Sequence, residues 1–143
     1  MRFHIRFLLL LLVSLIISSC ATYQKQVAPA RSDLNSGQCD SALQKLEKLA
    51  LKESDDRLAY WLEYATALQA CKQYDKSIKA FLEADKLAES LDFTSITKST
   101  AATLVTEELT HYKGDTFEKF FINAMNALNF IQNNDLDSAM IEV

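Results

Sequence analysis

Two glycines and one proline in 143 residues are too few for the tight turns of an all-β fold, and too few for a glycine-rich phosphate loop. Histidine is almost as scarce: His4 and His111 stand alone, and no Cys-x-x-Cys or His-Glu-x-x-His spacing occurs. Zinc wants three or four convergent ligands, so no metal site is expected. No serine lies in a nucleophile-elbow context, and the acidic pairs Asp55-Asp56 and Glu107-Glu108 suit helix ends or exposed faces better than an acid/base dyad. No enzyme activity and no cofactor are expected, unless a site is assembled with another chain. A basic excess is lacking too, with 15 Lys and Arg against 19 Asp and Glu, which makes nucleic acid a poor partner. After residue 17 no apolar run is long enough for a transmembrane helix.

What is present begins at the N-terminus. Arg2 and Arg6 precede the apolar run Phe7 to Ile17, and Ile17-Ser18-Ser19-Cys20 follows. A charged start, a short apolar centre and small residues define an export signal. From Phe7 to Ser19 a helix would span roughly 20 Å, short of a bilayer crossing. The ending resembles the lipobox of bacterial lipoproteins. That resemblance implies cleavage between Ser19 and Cys20, with a diacylglycerol and fatty acid such as palmitate carried on Cys20; the alternative is an ordinary signal with a coincidental cysteine. Losing Arg2 and Arg6 leaves 13 basic residues of the 15 against all 19 acidic ones, a net charge of −6. The domains expected are a signal over 1–19, a lipidated flexible tether over 20–32, where ATYQKQVAPARS holds the proline and shows no helical period, and a helical domain over 33–143. Ala21 after the lipid cysteine implies, by the same resemblance, the outer membrane, facing the periplasm.

One pattern occurs three times. Gly37-Gln-Cys-Asp-Ser-Ala-Leu-Gln-Lys-Leu46 aligns with Lys72-Gln-Tyr-Asp-Lys-Ser-Ile-Lys-Ala-Phe81, and both align with Asn134-Asp-Leu-Asp-Ser-Ala-Met-Ile-Glu-Val143. Each opens on a turn and continues as an amphipathic helix. The first two copies are offset by 35 residues and the last two by 62. Copy two adds Trp61, Tyr64, Ala65 and Leu68 on a preceding helix, with Ala65 and Ser77 small where two antiparallel helices meet; copy three matches with Ala127, Phe130, Leu136 and Ala139, but has Asn123 where copy two has Trp61. This spacing resembles the tetratricopeptide (TPR) helical hairpin. In copy one the first helix reads as missing, with the spacer in its place.

Between copies two and three, apolar positions from Phe93 to Tyr112 keep a rough helical face with threonines at 94, 97, 100, 103 and 106. The threonine stripe is a partner surface or a half-exposed helix face. Gly114 suits a helix C-terminus, and Asp115 with Glu118 a capping box. The order of these features, with Asn-Ala-Leu-Asn-Phe at 126–130, resembles an uncharacterised family of bacterial TPR-containing lipoproteins. Its members usually run on past this point, so the array is expected to be incomplete at Val143, with a frayed last helix.

Cys39 and Cys71 remain after Cys20 is set aside. They lie nearly symmetrically about a turn expected near Ser54 to Asp56, and so at the same end of a helix pair. An exported pair invites a disulfide, and closing a loop of roughly 33 residues contributes on the order of 3 to 4 kcal/mol; two buried thiols are the alternative.

The fold class expected is all-α, an irregular TPR-like array of antiparallel helical hairpins forming a short α-solenoid behind a lipoprotein signal. In TPR proteins the first helices line a concave groove. The resemblance places Leu62, Thr66 and Gln69, then Phe121, Ala124, Leu128 and Ile131, on that groove, which would take an amphipathic helix or extended peptide; inter-repeat packing is the other reading of each. The function implied is a membrane-anchored interaction scaffold for an envelope protein or peptide. A structural subunit of an envelope assembly is the second reading, and a lipid or cell-wall ligand carrier the third.

Overall fold

The computed structural model describes residues 21–99 and 116–142, with side chains from 22–91 and 120–142. The signal, Ser19 and Cys20, the threonines from 100 onward, Gly114 and Asp115 lie outside the described residues.

All regular structure among the described residues is helical. The helices are α1 (Ala21–Asn35), α2 (Cys39–Ala50), α3 (Arg57–Ala70), α4 (Tyr74–Ser99), α5 (Thr116–Gln132) and α6 (Leu136–Ile141). Each packs chiefly on the helix before it and the helix after it.

Three turns repeat one geometry, and they fall on the first residue of each sequence copy. Gly37, Lys72 and Asn134 are left-handed, with φ of 74°, 60° and 59°. The next residue's N–H then reaches back five residues to a helical carbonyl. Gln38 donates to Asp33 at 2.8 Å, Gln73 to Leu68 at 2.9 Å and Asp135 to Phe130 at 2.9 Å. These bonds satisfy carbonyls that a helix end leaves open and turn the chain back on itself. The outcome is α1/α2, α3/α4 and α5/α6 hairpins.

The segment expected as a flexible spacer is therefore corrected. Residues 21–35 form α1, with Pro29 inside it. Pro29 is exposed, so the helical bond it lacks leaves the Lys25 carbonyl on the solvent side. Val27 and Ala30 are fully buried, Tyr23 stacks on Tyr60 with ring centroids 5.3 Å apart, and these contacts offset the proline. The first helix of copy one is not missing. The 35-residue offset that aligns Gly37 with Lys72 sets Ala30 against Ala65, and Ala127 is their counterpart in copy three; all three are buried. Ala42, Ser77 and Ala139, the small positions of the second helices, are buried as well. Small side chains at both positions let the backbones of each hairpin approach.

The core runs along the array. Val27 and Ala30 of α1 meet Leu46 and Ala50 of α2, then Leu58, Tyr60 and Leu68 of α3, Phe81, Ala84 and Ala88 of α4, and Ile122 of α5. Tyr60, Phe81, Leu46, Leu58 and Leu68 are the largest of its closed side chains, each contributing about 2 to 3 kcal/mol of burial. The helix after copy two does not begin anew at Phe93. α4 continues unbroken from Tyr74 to Ser99.

Candidate functional site

Successive hairpins are tied by side chains. Cys39 at the start of α2 and Cys71 at the end of α3 form a disulfide, Cα to Cα 5.9 Å, across the open end of the pair that the 51–56 turn joins. Asp33, near the end of α1, accepts from Ser41 Oγ of α2 at 2.6 Å and pairs with Lys45. These partners hold the Asp33 carboxyl below the usual carboxylate range, Lys45 first and Ser41 second.

α1 is clamped to α3 by three groups that sequence reading did not bring together. Tyr23 donates its hydroxyl to Glu63 at 2.9 Å, and Arg31 pairs with the same carboxylate while reaching Gln24 at 3.1 Å. Burial, and then the Glu63 charge, pushes the Tyr23 phenol above its ordinary range. Glu63 thus accepts from two donors on α1. The cluster straps α1 to α3.

A second tie joins α3, α4 and α5. Gln69 donates Nε2 to Asn129 Oδ1 at 2.8 Å and to the Met125 carbonyl at 3.2 Å; Asn129 donates Nδ2 to Ser77 Oγ at 2.9 Å; Ser77 donates to the Ala65 carbonyl at 2.8 Å. Asn129 and Ser77 are fully buried. Gln69, expected on the groove, is half-buried, with its amide bonded to α5.

The other groove positions fall on two faces. On α3, Leu62 is half-buried and packs on the core, and Thr66 is exposed with its hydroxyl donated to the Leu62 carbonyl at 2.8 Å. On α5, Phe121, Ala124, Leu128 and Ile131 recur at helical spacing on the exposed side; Phe121 is 42% exposed, Leu128 50% and Ile131 46%. Gln69 links the two helices through Met125 and Asn129. Phe120, at 74% exposed, extends the α5 stripe and was not singled out by repeat matching, because the repeat template marks where helices touch and says nothing of what they leave bare.

A cleft of about 440 Å³ opens beside the 51–56 turn, lined by Glu53, Ser54, Arg57, Leu58, Leu87 and Leu91 among others. Arg57 is paired there with Glu53 at 2.5 Å. Among the described residues no three His, Cys, Asp or Glu side chains group as metal ligands, and no helix is long and apolar enough to cross a membrane.

No protein-family model, no curated protein and no solved structure matches this chain. The functional reading therefore rests on the residues themselves.

Proposed function

We propose that this chain is an envelope lipoprotein, lipidated on Cys20, whose mature part is a TPR-like helical array serving as a protein–protein interaction scaffold. The observation that carries this is that α5 exposes Phe120, Leu128 and Ile131, with Leu62 half-buried and Thr66 exposed on α3. A helix of a closed domain turns such a stripe inward; one that holds it outward offers a docking face. The threefold turn and the buried small positions Ala30, Ala65 and Ala127 support the TPR-like part of the reading. The lipobox-like Ile17-Ser18-Ser19-Cys20 supports the anchor, and Ala21 supports the outer membrane facing the periplasm. On this reading α1 begins one residue after the lipid, so the array sits at the membrane surface rather than standing off on a spacer.

A structural subunit of an assembly is the second reading. It is favoured by Leu136, Met140 and Ile141 of α6, exposed by 63%, 72% and 84%, which would suit end-to-end stacking.

The test is crosslinking capture from membranes of the source cell, wild type against Leu62→Asp with Leu128→Asp, after circular dichroism shows both helical. A partner held by wild type and lost from the folded double variant supports the groove. The same partners captured by both would sink it. Incorporation of labelled palmitate that vanishes in Cys20→Ser tests the anchor separately.

A further inference from the structure

The chain as a whole is acidic, but its first helix is not. Residues 21–32 hold Lys25 and Arg31 and no Asp or Glu. On α2 and into the turn after it, Lys45, Lys48 and Lys52 recur at the spacing of one helix face, with Leu51 and Lys52 still donating to the Glu47 and Leu49 carbonyls. Lys45 reaches Asp33 of α1, so this row runs along the α1 side of α2. Lys25, Pro29 and Asp33 form a matching row on α1, four residues apart, and its Asp33 end meets Ser41 at 2.6 Å. The two helices are antiparallel about the Gly37 turn, and an equal number of residues back from Asp33 and on from Ser41 reaches Lys25 and Leu49. Lys25 is therefore level with Lys48 and close to Lys52. All three are exposed, and none is in an ion pair among the described residues.

The helices that border these lysines are α1, α2 and α3, whose side chains are described from residue 22. Their carboxylates are engaged elsewhere. Glu47 lies against α3, where burial first and its charge second hold the Tyr64 phenol above the ordinary range. Glu53 is paired with Arg57, Asp56 stands near Tyr60, and Asp55 is engaged as well. Lys25 lies roughly 6 Å along α1 from Ala21, the residue that follows Cys20. A lipid on Cys20 would hold the lysines within about one Debye length of the bilayer surface, roughly 10 Å at 0.1 M salt. There each lysine strengthens attraction to an anionic surface about fivefold, while the rest of the acidic chain is repelled. We propose that Lys25, Lys48 and Lys52 dock the α1/α2 hairpin on anionic phospholipid headgroups and so fix how the array lies on its membrane. This rests on the lipid-anchor reading above and adds the face that meets the bilayer.

The test takes the full chain from membranes of the source cell, reconstitutes it with vesicles of phosphatidylcholine alone or with phosphatidylglycerol added, and follows acylation of each lysine by a water-soluble ester with mass spectrometry. Lys25, Lys48 and Lys52 should react several-fold more slowly on the phosphatidylglycerol vesicles, and the difference should vanish in about 0.5 M salt. Lys76 and Lys79, exposed on α4, should react alike on both. In Lys48→Gln with Lys52→Gln, two surface changes whose helix content circular dichroism checks, Lys25 should lose most of its protection. Equal reactivity of the three lysines on both vesicles would overturn the proposal and leave the row open to an acidic protein. Equal protection of Lys76 and Lys79, or Lys25 protection indifferent to the double variant, would overturn it too. The anchor is read separately, by flotation with phosphatidylcholine vesicles in high salt, which needs the lipid and not the lysines. Loss of flotation sinks the anchor, while the comparison between the two vesicles still decides the lysine face.

Discussion

Asn129 donates its amide to the Ser77 hydroxyl at 2.9 Å across 52 residues of sequence, with both side chains fully closed to solvent. Ser77 passes the bond on to the Ala65 carbonyl, so one hydroxyl joins three helices. Ser77→Ala keeps the small size that the α3/α4 crossing requires and removes only the oxygen. It leaves the Asn129 amide without its acceptor in a dry site, and should cost about 1 to 3 kcal/mol in urea unfolding. A loss below a few tenths would mean that the amide finds another partner.

The Cys39–Cys71 bond closes a loop 32 residues long in sequence separation. Its main effect is on the unfolded chain, which it confines, and loop-closure arithmetic puts this at about 3 to 4 kcal/mol. Reduction should lower the urea midpoint accordingly, while far-ultraviolet circular dichroism in the absence of denaturant stays helical. The Cys39→Ser, Cys71→Ser variant should match the reduced protein and no longer respond to reductant.

Gly37, Lys72 and Asn134 occupy the same left-handed position in three turns, but only glycine does so without cost. A non-glycine side chain there loses roughly 1 to 2 kcal/mol, and asparagine visits the region more readily than lysine. Lys72→Gly should therefore stabilise the fold by about 0.5 to 1 kcal/mol, Asn134→Gly by less, and Gly37→Ala should destabilise it, although no atom lies within 4 Å of the added Cβ. Thermal melts of the three variants order these effects.

Those turns show why the helical hairpins were legible in the sequence while α1 was not. A turn residue followed by an amphipathic run is a local signal, and it survives changes such as Gly37 to Lys72 to Asn134. The register of α1 is carried by one position, Ala30 matching Ala65, whereas Pro29 falls opposite Tyr64 and Asp33 opposite Leu68. Proline and a charged residue at those places erase the apolar period. What stabilises α1 is tertiary: the Tyr23–Tyr60 stack and the Arg31–Glu63 pair span 37 and 32 residues. Pairings at such range leave no mark on a local window. The bond from Gln69 on α3 to Asn129 on α5 was illegible for a related reason, since it joins residues 60 apart in sequence.

Asp33 gives stability a dependence on acid. Its folded pKa is depressed by Lys45 and Ser41, so the stabilisation is complete above the unfolded value of about 3.9 and is lost as pH falls through the lowered one. Glu142 acts in the opposite sense. Its raised pKa means that its ionised form is disfavoured in the fold, and protonation near and above the usual carboxylate range relieves that strain. Urea midpoints measured from about pH 6 down to about pH 2 should fall less steeply at the acid end for Asp33→Asn than for the parent. The Glu142→Gln variant should lose the shallow rise in stability that precedes the fall. Parallel acid limbs for Asp33→Asn and parent would show that the Asp33 contacts do not persist in solution.

Asn126 and Asn129 stand three residues apart on α5, both closed to solvent, and they should respond to the same substitution with opposite signs. Asn129 both accepts and donates, from Gln69 and to Ser77. Neither amide atom of Asn126 has a hydrogen-bond partner among the described residues, so burying it exacts a desolvation cost with nothing in return. Leucine is close to asparagine in shape and carries no such cost. Asn126→Leu should stabilise the fold by about 1 to 2 kcal/mol, while Asn129→Leu should destabilise it by about 1 to 3 kcal/mol by stranding Gln69 and Ser77. Urea unfolding of the two single variants side by side decides it. A loss at Asn126 comparable to that at Asn129 would mean that its amide is satisfied by a group beyond residues 21–99 and 116–142, and would mark residue 126 as a contact point for that part of the chain.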